Sequence, residues 1–166
     1  MKLFKLATTP VMLVMMVLGA KANAETSTAE MVRACTGLNH DYAIARDTAD
    51  ADAFAGLFTE DAVFTMQGQT FAGREKILER LKPGASANFA RLLINTVQIK
   101  PTSGDTASGV TYFTMFMAAE GNEPDLPVTD FIVFMGEYHD KYLMTGEGCK
   151  ITDRKTVPMF SGALRP

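Results

Sequence analysis

The chain has few cysteines and histidines, the residues that most often bind zinc. Its 166 residues include two cysteines and two widely separated histidines, His40 and His139, which make a poor ligand set for a four-coordinate zinc site. Cys35 and Cys149 could form one disulfide or remain as two buried thiols that pack as small apolar groups. The sequence therefore predicts no metal site and no cofactor, and it leaves the state of the two cysteines open.

The chain also lacks any cluster of basic residues. It has 16 Lys and Arg against 19 Asp and Glu, for a formal net charge of −3. Nucleic acids and anionic membrane surfaces attract proteins through basic patches, so both are excluded as expected partners. Beyond residue 24 no apolar run approaches the roughly 20 residues that cross a bilayer. We expect the mature protein to bind neither nucleic acid nor a membrane.

The first 24 residues have the layout of a secretory signal peptide. Lys2 and Lys5 precede an apolar stretch over residues 6–20, and the small residues 22–24 form a cleavage site before Glu25. An uncleaved membrane anchor is the alternative, but the apolar stretch is short for that role. Cleavage would remove three lysines and no acid, leaving 142 residues with a net charge of −6. We therefore expect one exported domain, periplasmic or secreted, in a compartment where disulfides form.

Helices are expected near the start of the mature chain. Ser27-x-x-Glu30 has the form of a capping box, and apolar residues at spacings of three and four then predict an amphipathic helix. This helix should run from Thr28 to about Asp47. Asp50 has the residue type of an N-cap and predicts a second, short helix that runs through Phe58.

Strands are expected to dominate the rest of the domain. A third helix over residues 74–82, ended by Pro83-Gly84, interrupts them. The predicted strands are, in order, 61–66, 70–73, 90–100, 106–118, 129–144 and 149–158. This order predicts an α+β domain over residues 25–158, with N-terminal helices packed on a strongly curved, mostly antiparallel sheet that encloses a pocket. Residues 159–166 show no pattern and are expected to form a C-terminal tail.

Several short motifs occur in a characteristic order along the mature chain. They are Tyr42-Ala-x-x-x-Asp47, Asp52-x-x-x-x-Leu57-Phe58-x-x-Asp61-Ala-x-Phe64, Phe71-x-Gly73-Arg74-Glu75-x-Ile77, Gly136-x-Tyr138-x-Asp140 and Ile151-x-Asp153-Arg154. Together they resemble the SnoaL-like domains of the nuclear transport factor two-like superfamily, near its scytalone dehydratase-like and ring-hydroxylating dioxygenase β-subunit-like branch. The resemblance implies a cone-shaped α+β fold with a central pocket, but fold alone does not fix an activity.

The scytalone dehydratase-like members imply a set of site residues. Carried over by position, their aspartate near the end of the first helix falls on Asp47 and their polar strand residue on Tyr138. Arg91 and about Thr111 stand where those members have two histidines. Neither histidine is present in this chain, so the family's acid–base mechanism does not transfer directly.

Side-chain alternation along the strands supports part of this set. Tyr138 alternates with the polar residues Glu137 and His139, so Tyr138 is expected to point inward and His139 outward. We expect Asp47 as a general base, with Arg91 and Tyr138 as its electrophilic partners in the pocket. The remaining expected lining residues are Tyr42, Leu93, Asn95, Thr111, Phe113 and Phe134.

Two functions are compatible with these residues. One is an exported pocket protein that binds a small, largely apolar carbonyl compound and catalyses a dehydratase- or isomerase-type proton transfer. The other is a non-catalytic ligand-binding or assembly module that has lost the histidines. In the second case, Asp47 would only end one helix and help to start the next. The exposed face of the sheet also makes a homodimer an expected partner.

Overall fold

The computed structural model describes residues 12–81, 89–119 and 125–163. Residues Met1–Glu30 and Met31–Pro166 form two separate units. The predicted signal peptide falls in the first unit. The domain in the second unit has the predicted α+β class, which is confirmed. In the described ranges no helix combines the length and the apolar character needed to cross a membrane.

The helices differ from the sequence prediction at their ends. Helix α1 spans Met12–Asp47, so the prediction that it begins after the capping box at Ser27 is wrong. The preceding segment is rich in Leu, Met and Ala, which favour continuation of a helix. Helix α2 spans Ala51–Gly56, and Asp50 caps it as predicted by accepting a hydrogen bond from the Ala53 N–H.

A third helix is present but shorter than predicted. Helix α3 spans Arg74–Leu78 and passes into a 3₁₀ turn at Glu79–Leu81. The predicted helix end at Pro83-Gly84 lies outside the described residues.

The strands form one six-stranded sheet. They are β1 Phe58–Met66, β2 Gln69–Ala72, β3 Ala90–Ser103, β4 Thr106–Ala118, β5 Phe131–Thr145 and β6 Gly148–Ala163. Their order across the sheet is β2-β1-β6-β5-β4-β3, and every neighbouring pair is antiparallel except β1 with β6. The sheet is therefore mostly antiparallel, as predicted.

Two strand boundaries correct the sequence prediction. Phe58 is not helical but begins β1, where it lies opposite Ile151 and is almost completely buried. Pairing with β6 and burial outweigh the short helical pattern around Phe54. At the other end, β6 continues through Met159 to Ala163, where it lies opposite Ile132 of β5. Those residues were expected in an unpatterned tail, because their alternation of apolar and polar side chains is weak.

The disulfide is confirmed. Cys35 of α1 and Cys149 at the start of β6 are bonded, with their Cα atoms 5.2 Å apart. Both cysteines are buried in the core that α1 forms with the sheet. The bridge therefore fastens α1 to the opposite end of the domain sequence.

The outer face of the sheet carries a row of exposed apolar residues. Leu93, Met135 and Phe160 are 45%, 41% and 70% exposed. The strand register places them in line across β3, β5 and β6, with Thr114 of β4 between the first two. These three side chains, the outer apolar row, lie on the opposite side of the sheet from the core.

Candidate functional site

Asp47 is the last residue of α1, and its side chain turns toward the sheet. Its Oδ2 accepts a hydrogen bond from the Leu92 N–H (2.8 Å), and its Oδ1 accepts one from Arg46 Nη1 (3.1 Å). The side chain is only 12% exposed. Asp47 therefore does not serve as a helix cap, a role that Asp50 fills for α2.

The electrostatic surroundings of Asp47 suit a proton acceptor. Burial raises the pKa of its carboxyl above the ordinary value of 3.8, while the Leu92 hydrogen bond and the nearby Arg46 and Arg91 partly oppose the rise. A raised pKa makes a carboxylate a stronger base near neutral pH. Each carboxylate oxygen also keeps a second lone pair beyond the hydrogen bond it accepts.

The expectation that Arg91, Leu93 and Asn95 share the pocket face is wrong. All three are exposed. Leu92 and Ile94 of β3 point inward. A bulge between Ile94 and Thr96 then changes which residues point inward in the later part of the strand. A bulge adds one residue to a strand and shifts the side-chain alternation by one position.

Arg91 binds within its own segment rather than in the pocket. Its Nη1 donates to the Ala90 carbonyl (2.8 Å), and its guanidinium lies 4.3 Å from the centre of the Phe89 ring. The charge still reaches Asp47, where it lowers the pKa. Asn95 donates to the Thr114 hydroxyl (2.8 Å) on the outer face.

Tyr138 is buried as predicted. Its ring stacks on Phe113 with centroids 4.4 Å apart and meets Tyr42 edge to face at 5.6 Å. Gly136 makes the first contact possible, because a Cβ there would lie 3.0 Å from the Phe113 ring and 2.6 Å from the Val157 carbonyl. Burial raises the pKa of Tyr138 well above 10, so the phenol stays neutral and can donate a hydrogen bond.

The neighbours of Tyr138 across the sheet are hydroxyl residues. Thr111 of β4 and Thr156 of β6 lie directly opposite Tyr138. The hydroxyl oxygen of each is buried and has no hydrogen-bond partner in residues 12–81, 89–119 and 125–163. Phe134, the remaining predicted lining residue, is half-buried on the same inward set of β5, opposite Met115.

A buried ion pair closes the core behind the two tyrosines. Arg154 donates from Nε to Asp140 Oδ1 (2.8 Å) and from Nη2 to Asp140 Oδ2 (2.7 Å), and both side chains are fully buried. Asp140 also accepts from Tyr142 (2.6 Å), and Arg154 donates to Asn39 of α1 (2.6 Å). A paired and hydrogen-bonded charge is the form in which a core tolerates an ion.

Arg154 also stacks on the site. Its guanidinium lies 4.2 Å from the centre of the Tyr42 ring and 4.3 Å from that of Tyr138. Its Nη1 is buried and has no hydrogen-bond partner within the part of the chain that the structure describes. The two rings and the cation together form one wall of the interior.

Arg46 connects Asp47 with this wall. One end of its guanidinium pairs with Asp47, and Nη2 donates to the Met115 sulfur (3.0 Å) on β4. Its charge acts on Tyr138, whose pKa it lowers against the larger effect of burial. The structure thus brings Asp47 and Tyr138 into one electrostatic environment through Arg46, while the charge of Arg91 acts on Asp47 from its own segment of the chain.

Arg80, in the 3₁₀ turn after α3, faces the same interior. Its guanidinium lies 4.8 Å from the Phe64 ring centre and 5.1 Å from that of Phe71, and Nη2 donates to the Met66 sulfur (3.2 Å). Burial lowers the pKa of Arg80, an effect that Tyr42 and Tyr138 counteract and Arg46 reinforces. These interactions place Arg80 near the two phenols.

Other features of the described residues carry no site chemistry. His40 is exposed, and His139 points outward to Glu137 Oε2 (2.7 Å), as predicted for His139. No group of three or more His, Cys, Asp or Glu residues in those ranges has metal-binding geometry. An outer cleft of about 380 Å³ lies between α1 and α2, around Ile44, Thr48 and Ala53.

Comparison with known families accounts for this arrangement. A profile of the SnoaL-like domain matches residues 27–155. The chain belongs to the SnoaL-like domain family. Its NTF2-like superfamily fold is shared with several crystal structures, whereas no curated protein matches the sequence.

Three of these structures show the range of proteins that share this fold. A provisionally named scytalone dehydratase from Novosphingobium aromaticivorans is 15% identical, with a TM-score of 0.72 over 86% of this chain and 93% of that one. A provisionally named aromatic ring hydroxylase from the same species is 25% identical, with a TM-score of 0.70 over 81% and 94%. Hexachlorocyclohexane dehydrochlorinase LinA-type3 from Novosphingobium barchaimii is 17% identical, with a TM-score of 0.71 over 84% and 94%.

Sequence reasoning missed three arginines of the interior. Arg46 pairs with Asp47, Arg154 stacks on the tyrosine rings, and Arg80 interacts electrostatically with the same tyrosines. One signal was present: Asp140 shares the inward set of β5 with Tyr138, and a buried carboxylate requires a cation. Arg46 and Arg80 carry no comparable pattern, because long side chains near helix ends are usually solvated.

Proposed function

We propose that this SnoaL-like protein is exported and binds a small, largely apolar carbonyl compound in the interior between α1 and the sheet. Asp47 then acts as the base in a cofactor-independent proton transfer of the dehydratase or isomerase type. The observation that carries the proposal is the half-buried Asp47 carboxylate, whose raised pKa and fixed orientation suit a general base.

The neighbouring groups would stabilise the negative charge that proton removal creates. Tyr138 stays neutral and can donate a hydrogen bond to a developing oxyanion. Arg46 takes the electrophilic role that the sequence assigned to Arg91. Arg91 is retained only as a charge that tunes the pKa of Asp47 from outside the pocket. The apolar lining comes from Phe113, Met115 and their neighbours.

Acid should inactivate such a base. Asp47 accepts a proton only while it is ionised, so activity should fall as the pH drops through its pKa. Because burial raises that pKa, the acidic limb should lie above 3.8, the ordinary value for aspartate.

Deuterium exchange tests the proposal directly. Cyclohexanone, 1-indanone and phenylacetone would be incubated with the protein in D₂O, and incorporation next to the carbonyl would be followed by mass spectrometry. Positioned general bases contribute roughly 10²- to 10⁴-fold. Asp47→Asn should therefore lower the exchange rate at least about 100-fold with little change in ketone binding. The exposed control Asp61→Asn should behave like the wild type.

The second candidate is a non-catalytic binding or assembly module. Both histidines are exposed, and both oxygens of Asp47 already accept hydrogen bonds. Ketone binding without exchange in the wild type would favour this function. The outer apolar row further supports a homodimer, formed through the outer face of the sheet.

A further inference from the structure

Among the residues that the structure describes, three guanidinium groups near the candidate site differ in their partners, because two of them pair with a carboxylate and the third does not. Arg46 pairs with Asp47, and Arg154 pairs with Asp140. Arg80 has no carboxylate within ion-pair distance among residues 12–81, 89–119 and 125–163. Within these described ranges the charge of Arg80 is therefore not compensated by an ion pair, although the whole chain has a net charge of −3.

The surroundings of Arg80 make this charge unusual. Its neighbours are two aromatic rings, Phe64 and Phe71, and the sulfur of Met66. The side chain is half-buried, and its buried Nη1 has no hydrogen-bond partner among the residues that the structure describes. A cation removed from water is normally paired, since an unpaired donor loses its hydration without replacement. Ring faces and a thioether compensate for only part of that loss.

Arg80 also cannot serve as a partner for the ion pairs nearby. Arg46 carries the same charge, which adds to the larger effect of burial in lowering the pKa of Arg80, and Asp140 is already bound by two nitrogens of Arg154. Tyr42 and Tyr138, which line the candidate site, lie close enough to Arg80 to affect its electrostatics. An anion entering that site would therefore meet Arg80 close to both tyrosine side chains.

We propose that the ligand of this protein carries a carboxylate, which Arg80 binds, in addition to its apolar body and carbonyl group. The guanidinium presents paired N–H donors that match the two oxygens of a carboxylate. This inference rests on the proposed function, because it assigns a substrate class to the same interior. It also separates the roles of the arginines: Arg80 selects the charged end of the ligand, and Arg46 acts at the reacting end.

Matched pairs of probes test the carboxylate. Benzoate with benzamide, and cinnamate with cinnamamide, have nearly the same shape and differ in charge. Calorimetric titration of the wild type should show tighter binding of the carboxylate in each pair. Arg80→Met should weaken carboxylate binding about 10- to 100-fold, the range of a charge-assisted hydrogen bond, and leave the amides nearly unaffected. Arg80→Lys should keep the preference in reduced form.

Two controls separate charge recognition from a structural role. Lys76→Met removes an exposed cation of α3 that pairs with Glu79, and it should leave the carboxylate preference unchanged. In the absence of ligand, Arg80→Met should raise the midpoint of thermal unfolding, since it removes a half-buried charge that has no carboxylate partner in the described ranges. A lower midpoint with equal loss of both probe types would mean that Arg80 is structural and would overturn the proposal.

The outcomes for the two proposals are distinguishable. Equal affinity of the wild type for carboxylates and amides, or no carboxylate binding at millimolar concentration, overturns the assignment of Arg80. Asp47-dependent exchange of ketones would then still support the proton-transfer function. Conversely, carboxylate preference without any ketone exchange would support Arg80 and refute catalysis.

Discussion

Removal of the disulfide should destabilise the domain severely. The bridge between Cys35 and Cys149 spans 114 residues of sequence. In the chain-entropy model a loop of this size lowers the entropy of the unfolded chain by about 16 cal/mol/K, or about 4.8 kcal/mol at 25 °C. A domain of ordinary stability has only about 5–15 kcal/mol in total. The Cys35→Ala/Cys149→Ala protein should therefore be marginally folded.

Urea unfolding followed by circular dichroism measures this loss. With a urea dependence of about 2 kcal/mol per molar, the midpoint should fall by roughly 2 M. The slope should also rise, because the unfolded chain without the bridge is more expanded. Wild-type protein measured in a strong reductant should approach the double variant, and the variant itself should not respond to reductant.

The reasoning fails on either of two results. A loss below about 1 kcal/mol would mean that restriction of the unfolded chain is not what the bridge contributes. A large loss in the double variant with none on reduction of the wild type would assign the effect to packing. Cys35 is completely buried, so its sulfur also fills space in the core between α1 and the sheet.

Three further predictions concern the ion pair, export and assembly. Asp140→Asn should destabilise the domain by about 3–5 kcal/mol in urea unfolding, because Arg154 stays buried without its carboxylate, and adding Arg154→Met should recover part of the loss. Mass spectrometry of protein from the cell envelope should find Glu25 at the N-terminus, whereas an intact Met1 would contradict cleavage. Met135→Lys should convert a dimer to a monomer in sedimentation velocity at unchanged thermal stability; a monomeric wild type would refute the dimer.

The sequence predicted the fold well because its signals were local and redundant. In β5, the polar residues Glu137 and His139 alternate with Gly136 and Tyr138. Once one residue of this strand is assigned to the inward face, the alternation assigns all the others. Between the predicted strands 61–66 and 70–73, Gln67 and Gly68 form the turn, and both adopt the positive φ that a two-residue hairpin turn requires.

The site was predicted less well because its geometry depends on features without a local signal. In β3, apolar residues occur at Leu92, Leu93 and Ile94, so alternation alone could not decide which set faces inward. The later residues Val97 and Ile99 fall on the same face of the sheet as Leu92 only if the strand contains one extra residue. This mismatch was the sign of a bulge in the sequence. The position of the Arg46 guanidinium depends on the direction in which its long side chain leaves the last turn of α1.

The arrangement of aromatic residues around Arg154 has a practical consequence for following ligands. The chain has no tryptophan and four tyrosines. Tyr42, Tyr138 and Tyr142 are buried around Arg154, and Tyr112 is the exposed fourth. The intrinsic ultraviolet fluorescence of the protein therefore originates mainly beside the candidate site, and Tyr112→Phe would remove the solvent-exposed contribution. A molecule entering the interior should then change the emission of the unlabelled protein, so the domain carries its own optical reporter.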